Sequence, residues 1–370
     1  MQQINHYHNV DLISGPCSLE SRDQTLETAR QLFDVGVRKF RGGVWKPRTR
    51  PGGFEGIGEP ALTWLMDVRK EYGMDVGCEV ANKDQVELAL QYNLDFIWIG
   101  ARTVADPFAM QEIADTLALA DEEQRLTMEV YIKNPVCPDY DLWYGAVERI
   151  KDARVPDVRL IFRGFKSYYS QKYRNEPIWD IPLKMMTEHP ELKMYCDPSH
   201  IAGRRDLVSE VADTAINVYN MQGLMIESHC NPSEALTDAN QQLLPSDIPT
   251  LYKERREVSV EEKVEKELQT YRNAIDVMDK KIIESIVNRL MYCEKIGDIK
   301  AKNRIATYQP NRWNDVLKKI HKELHCQGNV NMLKKYPEID YLIEEIFNKV
   351  HSTSIQIQKE WKSRNSTENT

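Results

Sequence analysis

Between residues 10 and 245, short β-rich runs and longer amphipathic stretches alternate eight times. The runs are NVDLIS, GVRKFRG, MDVGCEV, LDFIWIG, RLTMEVYIK, DVRLIFRG, LKMYCD and GLMIES. Helical patterns such as DQTLETARQLFDVG, PALTWLMDVRKEYG and NKDQVELALQYN lie between them. Eight such units in about 240 residues match the size of a (β/α)8 barrel. A doubly wound open sheet is the rival. It more often carries a Gly-rich phosphate loop after its first strand, and no G-x-G-x-x-G is present here.

After LLPSDIPT the pattern changes. Residues 258–370 hold two glycines (Gly297, Gly328), two prolines (Pro310, Pro337) and no strand signal. Leu268, Tyr271, Ile275, Met278, Ile282, Ile286, Leu290, Cys293 and Ile296 step by three and four, the period of one helix face. That helix runs from about 260 to 303, roughly 65 Å at 1.5 Å per residue. An isolated domain of this size is narrower, so the helix is expected to pair with a second chain. Pro310 and Pro337 mark two further helix starts. The expected layout is a barrel over 1–245, a linker over 246–260, an all-α three-helix domain over 261–362 that dimerises, and a disordered tail over 363–370.

A chain of 370 residues is long for one domain. Its apolar runs fall far short of the ~20 residues that cross a bilayer, so no membrane partner is expected. The N-terminus shows no secretory signal. Seven cysteines without a C-x-x-C pair fit a reducing cytoplasm. A net charge of −8 argues against nucleic acid as a partner, and an anionic substrate would need a locally basic pocket.

The residues at and just beyond the strand ends point to such a pocket. Polar side chains recur at the C-terminal ends, the face on which barrels build active sites. They are Cys17 after the first, then Arg41, Lys46, Arg48 and Thr49 in RGGVWKPRTR, and Arg102 in IGART. Lys133 and Arg163 end the fifth and sixth strands, His200 follows the seventh, and Glu227 ends the eighth, with Asp238 eleven residues on. Singly, each has an ordinary reading: a solvated charge, a packed thiol, a turn histidine, a helix cap. Their recurrence around one rim argues for a site that binds phosphorylated or carboxylated small molecules. Cys17, His200, Glu227 and Asp238 are a donor set suited to a divalent transition metal. The HKELH of residues 321–325 lacks Glu at its second position, so it is not the metalloprotease motif and reads as a wet helix face.

GPCSLES, RGGVWKPRTRPGGFEG, IGART, CDPSHIAGRRD and GLMIESHCNPSEALTDANQ resemble 3-deoxy-D-arabino-heptulosonate 7-phosphate (DAHP) synthases, over about residues 10–245. Those enzymes condense phosphoenolpyruvate (PEP) with erythrose 4-phosphate at the head of aromatic amino acid synthesis. The resemblance implies a divalent metal (Mn, Fe, Co or Zn) on Cys17, His200, Glu227 and Asp238. It implies PEP on Arg41, Lys46, Arg102, Lys133 and Arg163, with His200 near its reacting end, and the aldose phosphate on Arg48 and Thr49. Lys46-Pro47-Arg48-Thr49 favours the four-carbon aldose over the five-carbon one of the sibling family, which has K-A-N-R there.

The helical half resembles the all-helical chorismate mutases of the intertwined-dimer type. Arg272 in LQTYRNAID, Arg289 in IVNRLM and Lys300 in IGDIKAK keep that family's spacing, and Arg312, Ser354 and Gln358 complete the set. By resemblance, Lys300 and Gln358 donate to the ether oxygen of chorismate. Arg272 (from the partner subunit), Arg289 and Arg312 hold its carboxylates. Trp313 and Gln309 stand where many members carry Glu and Asp. The expectation is a bifunctional enzyme of the shikimate pathway, with prephenate feedback on the barrel. The alternative makes the helical domain a chorismate- or prephenate-binding regulatory module with little turnover. The first strand begins within about ten residues of Met1, so control is expected from the C-terminal domain rather than an N-terminal one.

Overall fold

The computed structural model describes residues 10–46, 52–167, 172–251, 262–326 and 328–366. The chain divides into two compact units, residues 1–256 and 257–370.

In the first unit eight parallel strands close into a barrel in sequence order. They are β1 (Asp11–Gly15), β2 (Lys39–Arg41), β3 (Asp75–Val80), β4 (Phe96–Ile99), β5 (Glu129–Lys133), β6 (Val158–Phe162), β7 (Met194–Cys196) and β8 (Gly223–Glu227). β8 returns to β1 with Gly15 opposite Glu227, so the first and last site-bearing strands end side by side. All eight strand runs read from the sequence contain a strand. One overshoots: Arg125–Thr127 of RLTMEVYIK end a helix, Glu122–Thr127, whose first turn is capped by the Asp121 carboxylate.

The strands are apolar on both sides because both are covered. Inside the barrel Ile13, Phe96, Trp98, Tyr131, Ile161, Tyr195 and Met225 form one packed cluster. Outside, residues such as Leu32, Leu65, Val86, Ile113 and Trp143 from the surrounding helices pack on the sheet. Helix starts follow the sequence: Ser21, Asn82, Asp106 and Asp139 each accept a backbone N–H of the turn they cap.

The N-terminal mouth is sealed by ion pairs. Lys39 Nζ lies 2.9 Å from Asp11 and 2.7 Å from Glu129, and Arg159 reaches Glu129 at 2.6 Å and Asp157 at 2.7 Å. Tyr131 and Tyr195 hydroxyls join this network through Arg159 Nη1. With this mouth closed, chemistry falls to the opposite rim.

The segment read as a linker begins inside the barrel unit. Pro245–Thr250 form a 3-10 turn, Ile248 and Leu251 are buried in the barrel core, and the Ser209 hydroxyl donates to Leu251 O at 2.8 Å. Residues 252–260 lie outside the described residues.

The second unit is all helical. A 41-residue helix, Glu262–Lys302, spans about 60 Å at 1.5 Å per residue. Pro310–Leu324 and Glu338–Ser366 follow, each started by the proline read as its signal. A short helix the sequence reading did not separate, Val330–Lys335, sits between them and buries Leu333. The last helix extends into the segment read as a tail from 363, and 367–370 lie outside the described residues. On the long helix, Cys293 is buried, whereas Tyr271, Ile275, Met278 and Ile282 are each more than half exposed within the chain. Among the described residues no helix is long and apolar enough to cross a membrane.

Candidate active sites

The barrel rim is built by close backbone approach. A Cβ on Gly15 would lie 1.9 Å from Arg41 O, and one on Gly43 would lie 2.0 Å from Cys17 O. Only glycine fits at either position, so the turn after β1 presses against the one after β2. This brings Cys17 beside Arg41 and, across the β1–β8 pair, beside Glu227. The Gln242 side chain fixes the turn further by accepting the Cys17 N–H at 2.9 Å.

Cys17 Sγ lies 3.5 Å from Asp238 Oδ2, and ligand atoms of Cys17, Glu227 and Asp238 all fall within 4.8 Å of one another. His200 approaches this group with Nε2 at 3.8 Å from Glu227 Oε1, while its Nδ1 lies 2.8 Å from Asp197 Oδ2. With Nδ1 against Asp197, the ring presents Nε2 to the Glu227 side of the cluster. Glu227 Oε2 accepts from Gln241 at 2.7 Å, but its Oε1, fully buried, has no hydrogen-bond partner among the described residues. Arg174 holds Asp238 Oδ1 at 3.1 Å, and Asp238 itself takes a left-handed φ of 46°. A thiol, an imidazole and two carboxylates gathered at one point fit a divalent cation.

Charge and burial are tuned here. Burial, reinforced by Glu227, pushes the Cys17 thiol up to about 12. Burial also favours neutral Glu227 and Asp197, yet each carboxyl is held below its usual range: Glu227 by His200 and Arg41, Asp197 by His200 and Lys133. Burial lowers His200, which favours the neutral imidazole, the form that ligates metal.

The cations form the other half. Arg41, 1% exposed, lies under Glu227 with Nη2 3.3 Å from Oε1 and stacks on Trp98 with Cζ 4.7 Å from the ring. Its Nε and Nη1 are buried and have no hydrogen-bond partner among the described residues, an arrangement suited to an anion. Lys133 Nζ lies 2.7 Å from Asp197 Oδ2. Arg163, pulled down to about 10 by burial, is held by Asn175 Oδ1 at 2.8 Å and Gly164 O at 3.2 Å. Lys46 is half-buried against Gly43, and Arg102 is exposed on the short helix Ala101–Val104 after β4. Arg48 and Thr49 lie outside the described residues. The sequence reading passed over Asp197, Gln241, Gln242 and Arg174. Asp197 had a signal: it immediately follows a strand and caps the helix that carries His200.

In the helical unit the long and last helices pack closely enough that a Cβ on Gly297 would lie 3.2 Å from Gln358 Cα. Arg289 Nη1 donates to Ser354 Oγ at 2.7 Å, and Lys300 Nζ to Thr307 O at 2.6 Å. Gln358 Oε1 is buried without a hydrogen-bond partner among the described residues. Arg289, Lys300, Ser354 and Gln358 thus lie along one helix pair, while Arg312 is exposed on the first turn of the next helix. Arg272 is exposed, nearly five turns before Arg289. Trp313 stacks on His351 with ring centroids 3.8 Å apart and planes at 6°.

A closed (β/α)8 barrel with a thiol–imidazole–carboxylate cluster beside the buried cations Arg41, Lys133 and Arg163 defines a class of anion-handling, metal-site barrels. Residues 4–264 match the model of the DAHP synthetase I family, and the chain belongs to that family. Residues 271–359 match the chorismate mutase type II model. The chain is 32% identical over 232 residues to a phospho-2-dehydro-3-deoxyheptonate aldolase of Thermotoga maritima, covering 63% of this chain and 64% of that protein. It is 25% identical over 255 residues to a 2-dehydro-3-deoxyphosphooctonate aldolase of Rhizobium meliloti, covering 65% of this chain and 87% of that protein. The crystal structure of the Thermotoga maritima DAHP synthase superposes with a TM-score of 0.57 at 30% identity, covering 65% of this chain and 67% of that one.

Proposed function

We propose that the barrel condenses PEP with erythrose 4-phosphate to DAHP and phosphate, and that the helical unit rearranges chorismate to prephenate, both in the shikimate pathway. The observation that carries the barrel reading is the juxtaposition of the Cys17–Glu227–Asp238 cluster with the two unpartnered nitrogens of buried Arg41. Cys17, His200, Glu227 and Asp238 would hold a divalent ion (Mn, Fe, Co or Zn), which when bound supplies Lewis-acid polarisation of the aldehyde.

The chain's own residues do the rest. Arg41, Lys46, Arg102, Lys133 and Arg163 bind the carboxylate and phosphate of PEP and fix C3 toward the aldehyde carbon. Arg48 and Thr49 bind the aldose phosphate. The C3–C1 bond forms, water adds at C2 of PEP, and phosphate leaves by C–O cleavage. Asp197 lies against His200 and anchors Lys133 beside the reacting end.

In the helical unit, the rearrangement needs neither metal nor covalent intermediate. Lys300 and Gln358 stabilise the charge that builds on the ether oxygen, and Arg289, Arg312, Ser354 and the partner subunit's Arg272 hold the diaxial conformer. The exposed apolar half of the long helix supports a homodimer in which two copies exchange that face. The second reading, a binding module with little turnover, is favoured by one observation. Trp313 is stacked on His351, and an indole offers no acceptor for the substrate hydroxyl. Both readings allow prephenate to inhibit the barrel. Seven free thiols fit a cytoplasmic protein.

The test is a coupled assay of the intact chain for PEP consumption with erythrose 4-phosphate, with and without chelator, beside the Cys17→Ser variant. Chelator and substitution are both expected to abolish turnover. Normal turnover in metal-loaded Cys17→Ser would sink the ligand assignment. Prephenate formation from chorismate tests the helical unit, and a flat response of barrel activity to prephenate would reject feedback.

A further inference from the structure

The two histidines of HKELH acquire a third partner in the fold. His321 and His325 stand one turn apart at the end of helix Pro310–Leu324, and Asp340 comes from the first turn of Glu338–Ser366. Asp340 Oδ1 lies 2.9 Å from His325 Nε2 and 3.9 Å from His321 Nδ1, and the imidazole centroids are 4.1 Å apart. One ligand atom from each residue falls within 4.8 Å of the other two.

We propose that His321, His325 and Asp340 form a second divalent transition-metal site, suited to Zn2+, that clamps these two helices together. Tetrahedral ligands at about 2.0–2.2 Å from zinc stand roughly 3.3–3.6 Å from one another. The observed 2.9 and 3.9 Å from Asp340 bracket that spacing, and the two imidazole ligand atoms lie within 4.8 Å of each other. His321 is 71% exposed at its side chain and is free to make that rotation. Two imidazoles and one carboxylate select zinc-like ions over Mg2+ or Ca2+, which take oxygen donors. His321 and Asp340 also line an open groove of about 590 Å3, together with Leu317, Leu324 and Tyr341, which gives the ion an entry path. A simple His325–Asp340 contact between helices would account for one histidine only. The clamp has a consequence for the neighbouring chemistry: Arg312 rides on the first of these helices, and Ser354 and Gln358 ride on the second.

The experiment is equilibrium dialysis of the EDTA-stripped full-length chain against Zn2+, with metal counted per chain and thermal melting followed in parallel. Two ions per chain are expected, one in the barrel and one here. His321→Asn leaves the His325–Asp340 contact intact. It should weaken the second site about tenfold or more and abolish the Zn2+-dependent rise in the helical unit's melting point, with unchanged melting in chelator and unchanged PEP turnover. Asp340→Asn should do the same to the ion count. Cys17→Ser should keep this ion and lose the other, which separates failure here from failure of the barrel assignment. Zn2+ uptake by His321→Asn and Asp340→Asn equal to that of the parent chain overturns the site.

Discussion

Asp197 Oδ2 lies 2.8 Å from His200 Nδ1, and the same oxygen accepts from Lys133 Nζ at 2.7 Å. One fully buried carboxylate therefore orients an imidazole toward the Cys17–Glu227–Asp238 cluster and fixes a cation on the adjoining strand. Its ionised state persists in the core because both partners stabilise it against the cost of burial.

Asp197→Asn tests that double role. The amide keeps the shape but loses the charge, so Lys133 is left buried without a counter-ion and His200 is free to turn. We expect metal affinity to fall about 10–100-fold and kcat/KM for DAHP formation to fall by about two orders of magnitude or more. Metal titration and PEP consumption measure the two effects, and circular dichroism checks the fold. Full affinity with lost turnover would assign Asp197 to Lys133 alone.

Arg41→Lys addresses the anion pocket. Lysine retains one charge but cannot present the two nitrogens, Nε and Nη1, that find no partner in the core. The KM for PEP should rise about tenfold or more while that for the aldose changes little. Equal rises in both would show that Arg41 acts mainly by supporting Glu227, which it touches at 3.3 Å.

The sequence made the barrel legible because each strand is covered on both faces and therefore reads as an apolar run between polar turns. Cys17, Arg41, His200 and Glu227 were legible for a related reason: each sits at or just beyond a strand end, so topology alone brings them together. Asp197, Gln241, Gln242 and Arg174 were not, because their partners lie elsewhere in the chain and their types are common in loops. The His321–His325–Asp340 cluster was half legible. The i,i+4 pair shows in the sequence, but the third residue arrives only when two helices pack.

The sealed mouth of the barrel carries a pH dependence. Asp157 makes two 2.7 Å hydrogen bonds with Arg159, which hold its carboxyl below the ordinary value. The pair's contribution is thus fully present above the unfolded value of about 3.9 and is lost as pH falls through the lower folded value. Asp157→Asn should flatten the fall of melting temperature with pH below about pH 4 and leave the neutral plateau nearly level. Thermal scans across that range read it directly, and an unchanged acid slope would show that the Asp157–Arg159 pair does not carry it.

The long helix supplies the last test. Ile275 and Ile282 are 58% and 56% exposed within one chain, two turns apart on a face whose other members, Tyr271 and Met278, are equally bare. Water contact along such a stripe is costly unless a second copy covers it, at about 25 cal/mol per Å2. Arg272 lies on the same stretch of helix, so a mutase site completed by the partner would depend on the same contact. A charge at the centre of this face, Ile282→Asp, should convert the proposed dimer to monomer by light scattering and remove chorismate turnover together with it. PEP condensation by the barrel should persist if the two sites are built from separate units. Retained mutase activity in a proven monomer would place Arg272 outside the site and make the apolar face a feature of assembly alone.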